Sequence, residues 1–332
     1  EHPFGDCVSL ERIGLPSSLR TIEKYAFGGC TSLSDVFIPE SLSYLEEGAF
    51  HKCDNLRHIK VSPDNMRFDS RDDCNAVVKT ANNCLVCGCS ATVIPDTVTE
   101  IGDLAFEGIS SMTGISIPPT VKKIGAKAFW RCENLTAIEI PESVSIIEEG
   151  AFEDCYSLSD VALPNTLTEI KGLFSGCKSL TEIEIPESVS VIGLGAFSGC
   201  LMLERIHIPD SVTKIETAAF QSCSHLKSVI IPDSVVHIDT SAFRGCTELT
   251  DIRLSMSLTE IPNYAFMRCP SLVRIVLPDS ITEIGSHAFD GCEGLLEAIL
   301  PGSLKIIGSY AFSGCSGLKM VIIPNSVTVI ER

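Results

Sequence analysis

The chain has 332 residues, 45% of them apolar, and carries 25 Lys and Arg against 43 Asp and Glu, a formal net charge of −18. That balance sets nucleic acid aside, because affinity for it rests on neutralising phosphates with basic side chains, and it disfavours an anionic membrane surface for the same reason. No apolar run approaches the roughly 18 residues of a membrane-spanning helix, so no transmembrane segment is expected in this stretch.

Read from its first residues, the chain is periodic. Phe4/Cys7, Phe27/Cys30 and Phe50/Cys53 recur every 23 residues. The rhythm returns at Phe106, where Ile109 replaces the cysteine. It then runs on as Phe129/Cys132, Phe152/Cys155, Phe174/Cys177, Phe197/Cys200, Phe220/Cys223, Phe243/Cys246, Phe266/Cys269, Phe289/Cys292 and Phe312/Cys315, with one interval of 22. Twelve of the sixteen cysteines are thus repeat positions. The unit reads A-F-x-G-C-x-x-L-x-x-I-x-I-P-x-S-V-x-x-I-G-x-x. In Leu180 to Ile185 the apolar Ile183 and Ile185 alternate with polar residues, the pattern of a half-buried strand, and Pro186 ends it because proline has no N–H for the ladder. Val189 and Ile192 form a second apolar pair, and Ala196-Phe197 closes the coil. One coil cannot bury these positions alone; stacked coils bury them against each other.

A 23-residue period around L-x-x-I-x-I falls in the range of leucine-rich repeats. The fold class expected is a leucine-rich-repeat solenoid, a right-handed curved superhelix of about fourteen coils with short parallel strands and few helices. We read residues 1–332 as a single domain with an irregular, extended repeat at about 62–94. Both ends cut the pattern, which points to truncation within a longer array.

Two further rows have structural explanations. A hydroxyl follows two residues after each repeat proline or its equivalent (Ser18, Ser41, Thr97, Thr120, Ser143, Thr166, Ser188, Ser211, Ser234, Ser257, Ser280, Ser303, Ser326) and is expected to satisfy backbone groups at the turn. The glycine after the second apolar pair (Gly102, Gly125, Gly193, Gly285, Gly308) is replaced by Glu148 in one coil and Pro262 in another. Proline fixes φ near −65°, so this position does not demand positive φ.

The unit resembles the BspA-like, or Treponema-type, leucine-rich repeat. SVTKIETAAFQSCSHLKSVIIPDSV follows that pattern nearly position by position, and the irregular stretch, through DSRDDCNAVV and CGCSATVIPDTVTEIGDLAF, resembles a longer variant of it. The resemblance implies surface or secreted proteins of host-associated microbes, some linked to adhesion, to host matrix proteins and to aggregation with other cells. It carries no catalytic residues.

Chemistry is sparse elsewhere. The cysteine ladder is expected to pack as buried free thiols, because in-register Cβ atoms lie farther apart than the roughly 3.8 Å of a disulfide. Cys74, Cys84, Cys87 and Cys89, in the irregular stretch, are read as core thiols ahead of a disulfide or a zinc site. Asp64, Asp69, Asp72 and Asp73 read as a solvated acidic loop, since no D-x-D-x-D-G calcium loop is present. The period brings no Ser, His and acid together, so no enzyme, no metal site and no cofactor is expected. A row of acids after the strand-ending prolines (Glu40, Asp96, Glu142, Glu187, Asp210, Asp233, Asp279) is read as turn chemistry first and as attraction for a basic partner second.

The outward strand positions are the informative surface. The last of them runs Gly14, Phe37, Lys60, Ser116, Glu139, Ala162, Glu184, His207, Ile230, Arg253, Val276, Ile299 and Ile322, polar in the middle and apolar towards the C-terminal end. Val273, Leu296 and Met320 adjoin it, flanked by Arg253 and Arg274. Ile230, Val273, Arg274, Val276, Leu296, Ile299, Met320 and Ile322 are therefore the candidate binding residues, because monomers rarely expose large apolar patches without a use. The expected function is a non-enzymatic recognition or adhesion module, binding a protein or glycan partner, host extracellular matrix among them. The runner-up is a passive spacer that displays another domain. The same patch could serve self-association.

Overall fold

The computed structural model describes residues 2–332, which form two compact units dividing between Thr166 and Leu167. Each unit is a stack of coils of about 23 residues, about 13 coils in all. Among the described residues the only helix is a 3-10 turn, Arg71–Asp73.

In the second unit a coil contributes up to two short strands. The first is the outward/inward/outward triplet of the repeat, as in Ser228–Ile230, Asp251–Arg253, Arg274–Val276 and Glu297–Ile299. It pairs in parallel with its neighbour at a shift of one period: Ile230 with Arg253, and Val276 with Ile299. The second is a two-residue strand ending in the inward isoleucine. Glu169–Ile170, Val191–Ile192, Lys214–Ile215 and His237–Ile238 form one four-stranded parallel sheet, and Glu260–Ile261 to Val329–Ile330 form another. The period sets the register, since any other would turn the inward Ile residues outward.

The turn side is where the coils lock together. Phe197, Phe220, Phe243, Phe266, Phe289 and Phe312 stack one on the next with centroids 5.2–5.6 Å apart and rings within 11° of parallel. Three N–H groups per turn reach the following coil; in one of them Ala218, Phe220 and Ser222 donate to the carbonyls of Thr240, Ala242 and Arg244. The residues at either end of that trio are left-handed, with φ of 56° at Ala218 and 60° at Ser222. Alternating left- and right-handed residues aim every second N–H along the stack while the chain turns. Neither position is reserved for glycine. Tyr25, Lys127, His287 and Tyr310 occupy the first in their coils, and Lys52, Arg131, Asp154 and Arg268 the second.

The cysteine row is buried as expected except at its two ends, where Cys7 is exposed and Cys315 half-buried, and it is more than filler. Cys30, Cys53, Cys132, Cys155, Cys200, Cys223, Cys246, Cys269, Cys292 and Cys315 each direct Sγ at the carbonyl of the phenylalanine 26 residues earlier, at 3.1–3.3 Å. That carbonyl already accepts an N–H within its own coil, so the thiol occupies its second lone pair. The hydroxyl row behaves likewise. Ser143, Ser188, Ser211 and Ser303 donate to carbonyls of the preceding coil at 2.6–2.8 Å, and Thr166 does so to Val144. In the coil that lacks the repeat proline, Ser255 takes this place, donating to Val235. The row glycines have ordinary φ, as the sequence requires, and several serve close approach instead. A Cβ on Gly285 or Gly308 would lie 2.6–2.7 Å from backbone of the coil before.

The first unit follows the same plan up to Val61 and again from Glu100. Between them the irregular stretch builds no further full coil, which is why the stack falls short of the fourteen expected. Val77–Lys79 pairs antiparallel with Phe68–Asp69 on one side and with Cys84–Cys87 on the other, and Cys84–Cys87 then pairs in parallel with Glu100–Ile101. On the turn side no phenylalanine is inserted, and the Phe50 coil meets the Phe106 coil directly. Lys52 donates its N–H to Glu107, and Ser110 donates N–H and hydroxyl to Asp54. Asn65 anchors the insertion. Its amide donates to the carbonyls of Pro39 and Leu42, and its oxygen accepts the N–H of Arg67 and Phe68.

Candidate recognition surface

Each outward strand position alternates with a buried aliphatic residue, such as Ile275 or Ala298, so its side chain must leave the coil on the solvent side. Val276 and Ile299 stand directly opposite on paired strands. Leu296 donates its N–H to the carbonyl of Val273, which places those two residues on adjacent coils as well. All four are exposed, Leu296 at 56% and Ile299 at 38%. They form an apolar quartet two coils wide. Arg274 lies within it, its guanidinium held 2.6 Å from Glu297 on the next strand.

The other three apolar candidates stand apart from the quartet in two ways. Ile230 pairs with Arg253, so a guanidinium separates it from Val276, and Ile230 borders a neighbouring cleft instead. Met320 and Ile322 are exposed above 70%, but they lie on the last coil, where the inward residues Val321, Ile323 and Ile330 are exposed too. Their exposure therefore does not single out the outward face. The quartet carries the patch.

The cleft beside Ile230 measures about 580 Å3 and is lined by Arg205, His207, Ser228, Ile230, Asp233 and Arg253 among others. Arg253 reaches Asp233 at 3.2 Å, and the second oxygen of Asp233 accepts the N–H of Met256 at 2.9 Å. The acids after the strand-ending prolines thus do act in turns; Glu142 likewise accepts the N–H of Asn165.

The structure corrects one expectation about chemistry. Ser224, His225 and Glu248 do come together, with Ser224 Oγ 3.4 Å from His225 Nδ1 and His225 Nε2 3.8 Å from Glu248. The period hides this because it puts Ser and His side by side in one coil and the acid in the next. The polarity is wrong for nucleophilic catalysis. Nδ1 lies 2.8 Å from the carbonyl of Leu201, which only a donor satisfies, and Ser224 donates to that same carbonyl. The imidazole therefore presents no base to the serine.

Other polar clusters were not visible as spacing. Glu107 is almost wholly buried and lies 3.2 Å from His51 Nδ1, and Tyr25 donates its hydroxyl to it at 3.3 Å. Burial, then the Glu107 charge, pushes the Tyr25 hydroxyl up to about 12. Tyr264, His287 and Tyr310 stack on three successive turns at 5.1 and 4.9 Å. In the irregular stretch Cys74, Cys84, Cys87 and Cys89 are buried, and burial raises all four thiols. Asp69 is engaged by the Arg71 guanidinium through two bonds of 2.8 and 2.7 Å, and Asp73 lies 3.4 Å from Lys60. Among the described residues no three His, Cys, Asp or Glu converge as metal ligands, and no helix is long and apolar enough to cross a membrane.

The repeat geometry can be set against known proteins. The BspA type leucine rich repeat region matches in six copies, over residues 1–71, 81–173, 171–295 and 213–332. The chain belongs to the BspA-type leucine-rich-repeat family. Solved structures agree. A leucine-rich repeat protein from Bacteroides ovatus is 29% identical over 91% of this chain and 81% of its own, with a TM-score of 0.57. A leucine rich cell surface protein from Faecalibacterium prausnitzii is 30% identical over 91% and 82%, with a TM-score of 0.52. A leucine-rich repeat protein from Eubacterium ventriosum, 22% identical over 94% and 78% with a TM-score of 0.63, shares the fold. A search of curated protein sequences finds no match.

Proposed function

We propose that this BspA-type chain is a non-enzymatic recognition module of a bacterial cell-surface or secreted protein, binding a protein or glycan partner through the strand face of residues 167–332. The observation that carries this is the quartet Val273, Val276, Leu296 and Ile299, four exposed apolar side chains on two adjacent coils. Strand propensity alone favours β-branched residues at such positions, but it does not favour Leu296. The Faecalibacterium relative, described as a cell surface protein, supports the location. Family matches at 81–173 and 171–295 support reading 1–332 as one leucine-rich-repeat domain.

The test is a solid-phase binding screen against host matrix proteins, mucins and glycans, run beside a Val276→Glu/Ile299→Lys double variant with an unchanged thermal melt. A saturable partner that the variant loses is the expected outcome. A partner bound equally by the variant places the site elsewhere, and no partner at micromolar concentration favours a spacer that displays another domain.

A further inference from the structure

The cleft next to the quartet has a different chemistry, and its parts are laid out by the repeat. Its floor is one coil, with Ser228 and Ile230 pointing outward from the same strand. Arg205 and His207 project from the coil before, and Arg253 from the coil after. Ile230 is 62% exposed, an isolated apolar platform between basic side chains. Asp210 and Asp233 close the end where the strands stop.

The cations are not equivalent. The Arg253 guanidinium is held by Asp233, which the Met256 N–H fixes in turn. Arg205 has no carboxylate within salt-bridge distance among the described residues. The acids differ in the same way: Asp233 is engaged twice, whereas Asp210 has no hydrogen bond or ion pair among the described residues. Ser234 also lines the cleft, but its Oγ is buried, as are those of Thr120 and Ser326 in the same row, and takes no part in the open surface. The cleft thus keeps in reserve one guanidinium and one carboxylate around an apolar platform.

We propose that this cleft binds a sugar bearing a single carboxylate, of the uronic- or sialic-acid kind; the inference rests on reading the strand face as a recognition surface. A carboxylate meets the planar fork of Arg205 through two charge-assisted hydrogen bonds. Ring hydroxyls donate to Asp210 and exchange hydrogen bonds with Ser228, and the C–H face of the ring covers Ile230. A neutral sugar leaves Arg205 unmatched. An acidic peptide brings several carboxylates against Asp210, Asp233 and a chain whose net charge is already −18, so like charges oppose it. The volume lies within the range of small-ligand sites.

The experiment uses sialyllactose and a glucuronate-containing disaccharide as probes, with lactose and a Glu-rich peptide as counterparts, read by saturation-transfer NMR and calorimetry on the whole chain. At least one acidic sugar should bind saturably while lactose and the peptide do not. Arg205→Ala should weaken that binding at least about tenfold, the loss of one charged hydrogen-bonding partner, with an unchanged melt. Val276→Glu/Ile299→Lys should leave it intact, since the quartet lies outside the cleft. Equal binding of lactose, preference for the peptide, binding indifferent to Arg205, or no saturable acidic sugar each overturns the inference. None of these touches the recognition reading itself, which falls if the screen finds no saturable macromolecular partner.

Discussion

The left-handed residues of the turn tie backbone conformation to side-chain choice. An L residue with φ near +60° crowds its Cβ against its own backbone, at a cost of roughly 1–2 kcal/mol that glycine escapes. Ser222, at φ 60°, accepts that cost, and no side-chain hydrogen bond of its own offsets it among the described residues. Ser222→Gly should therefore stabilise the second unit by about 1 kcal/mol, visible as a higher melting temperature; a lower one would show that the side chain contributes packing worth more than the strain. Tyr264, His287 and Tyr310 accept the same strain, but their rings stack on one another. Glycine there should destabilise. The repeat formula shows glycine at the second of these positions only, and Lys, Arg and Asp fill it in other coils. The demand for positive φ is thus not readable as a residue type.

At the scale of the element, strand, turn and hydroxyl row were legible because each is a periodic choice of residue. The insertion was not, because it abandons the period. Its cysteines, read as core thiols ahead of a disulfide or a zinc site, are buried, Cys84 and Cys87 within one strand of an antiparallel hairpin that the sequence does not announce. Asn65 shows what holds that hairpin, with four hydrogen bonds from one amide side chain that is only 7% exposed. Asn65→Ala strands the Leu42 carbonyl and two N–H groups and removes one of two donors from the Pro39 carbonyl, and should cost about 2–3 kcal/mol or more. Limited proteolysis should then cut first within 62–94; cleavage unchanged from wild type would mean the hairpin is held elsewhere. The candidate patch was legible in part. Its outward row gathers apolar residues towards one end, but Arg253 interrupts that row between Ile230 and Val276. Read as composition the row is continuous; read as neighbours on paired strands it divides into a quartet and a cleft.

For the molecule as a whole, the thiol ladder couples stability to pH. Burial pushes Cys53, Cys155 and Cys246 up to about 12, from an ordinary value of 9.0. The folded chain thus keeps protons that the unfolded chain releases, so stability falls as pH rises. The thiol contribution is complete below about pH 9 and is lost progressively towards about 12. The melting temperature should decline across that window, and Cys223→Ala/Cys246→Ala should decline less steeply from a lower start. Equal slopes in the variant and the parent would mean these thiols ionise freely in the fold.

The thiol-to-carbonyl contact spans 26 residues in every coil that makes it, and the phenylalanine rings repeat one geometry. A coil therefore does not distinguish its neighbours by address. Excising one full period within 174–312 joins surfaces that already fit, whereas removing a few residues more or fewer throws every later row out of phase. Gene segments encoding such coils can be lost or duplicated by unequal recombination without a period of misfolded ancestors. The length of the array is open to heritable variation, while the interior of each coil is closed to it.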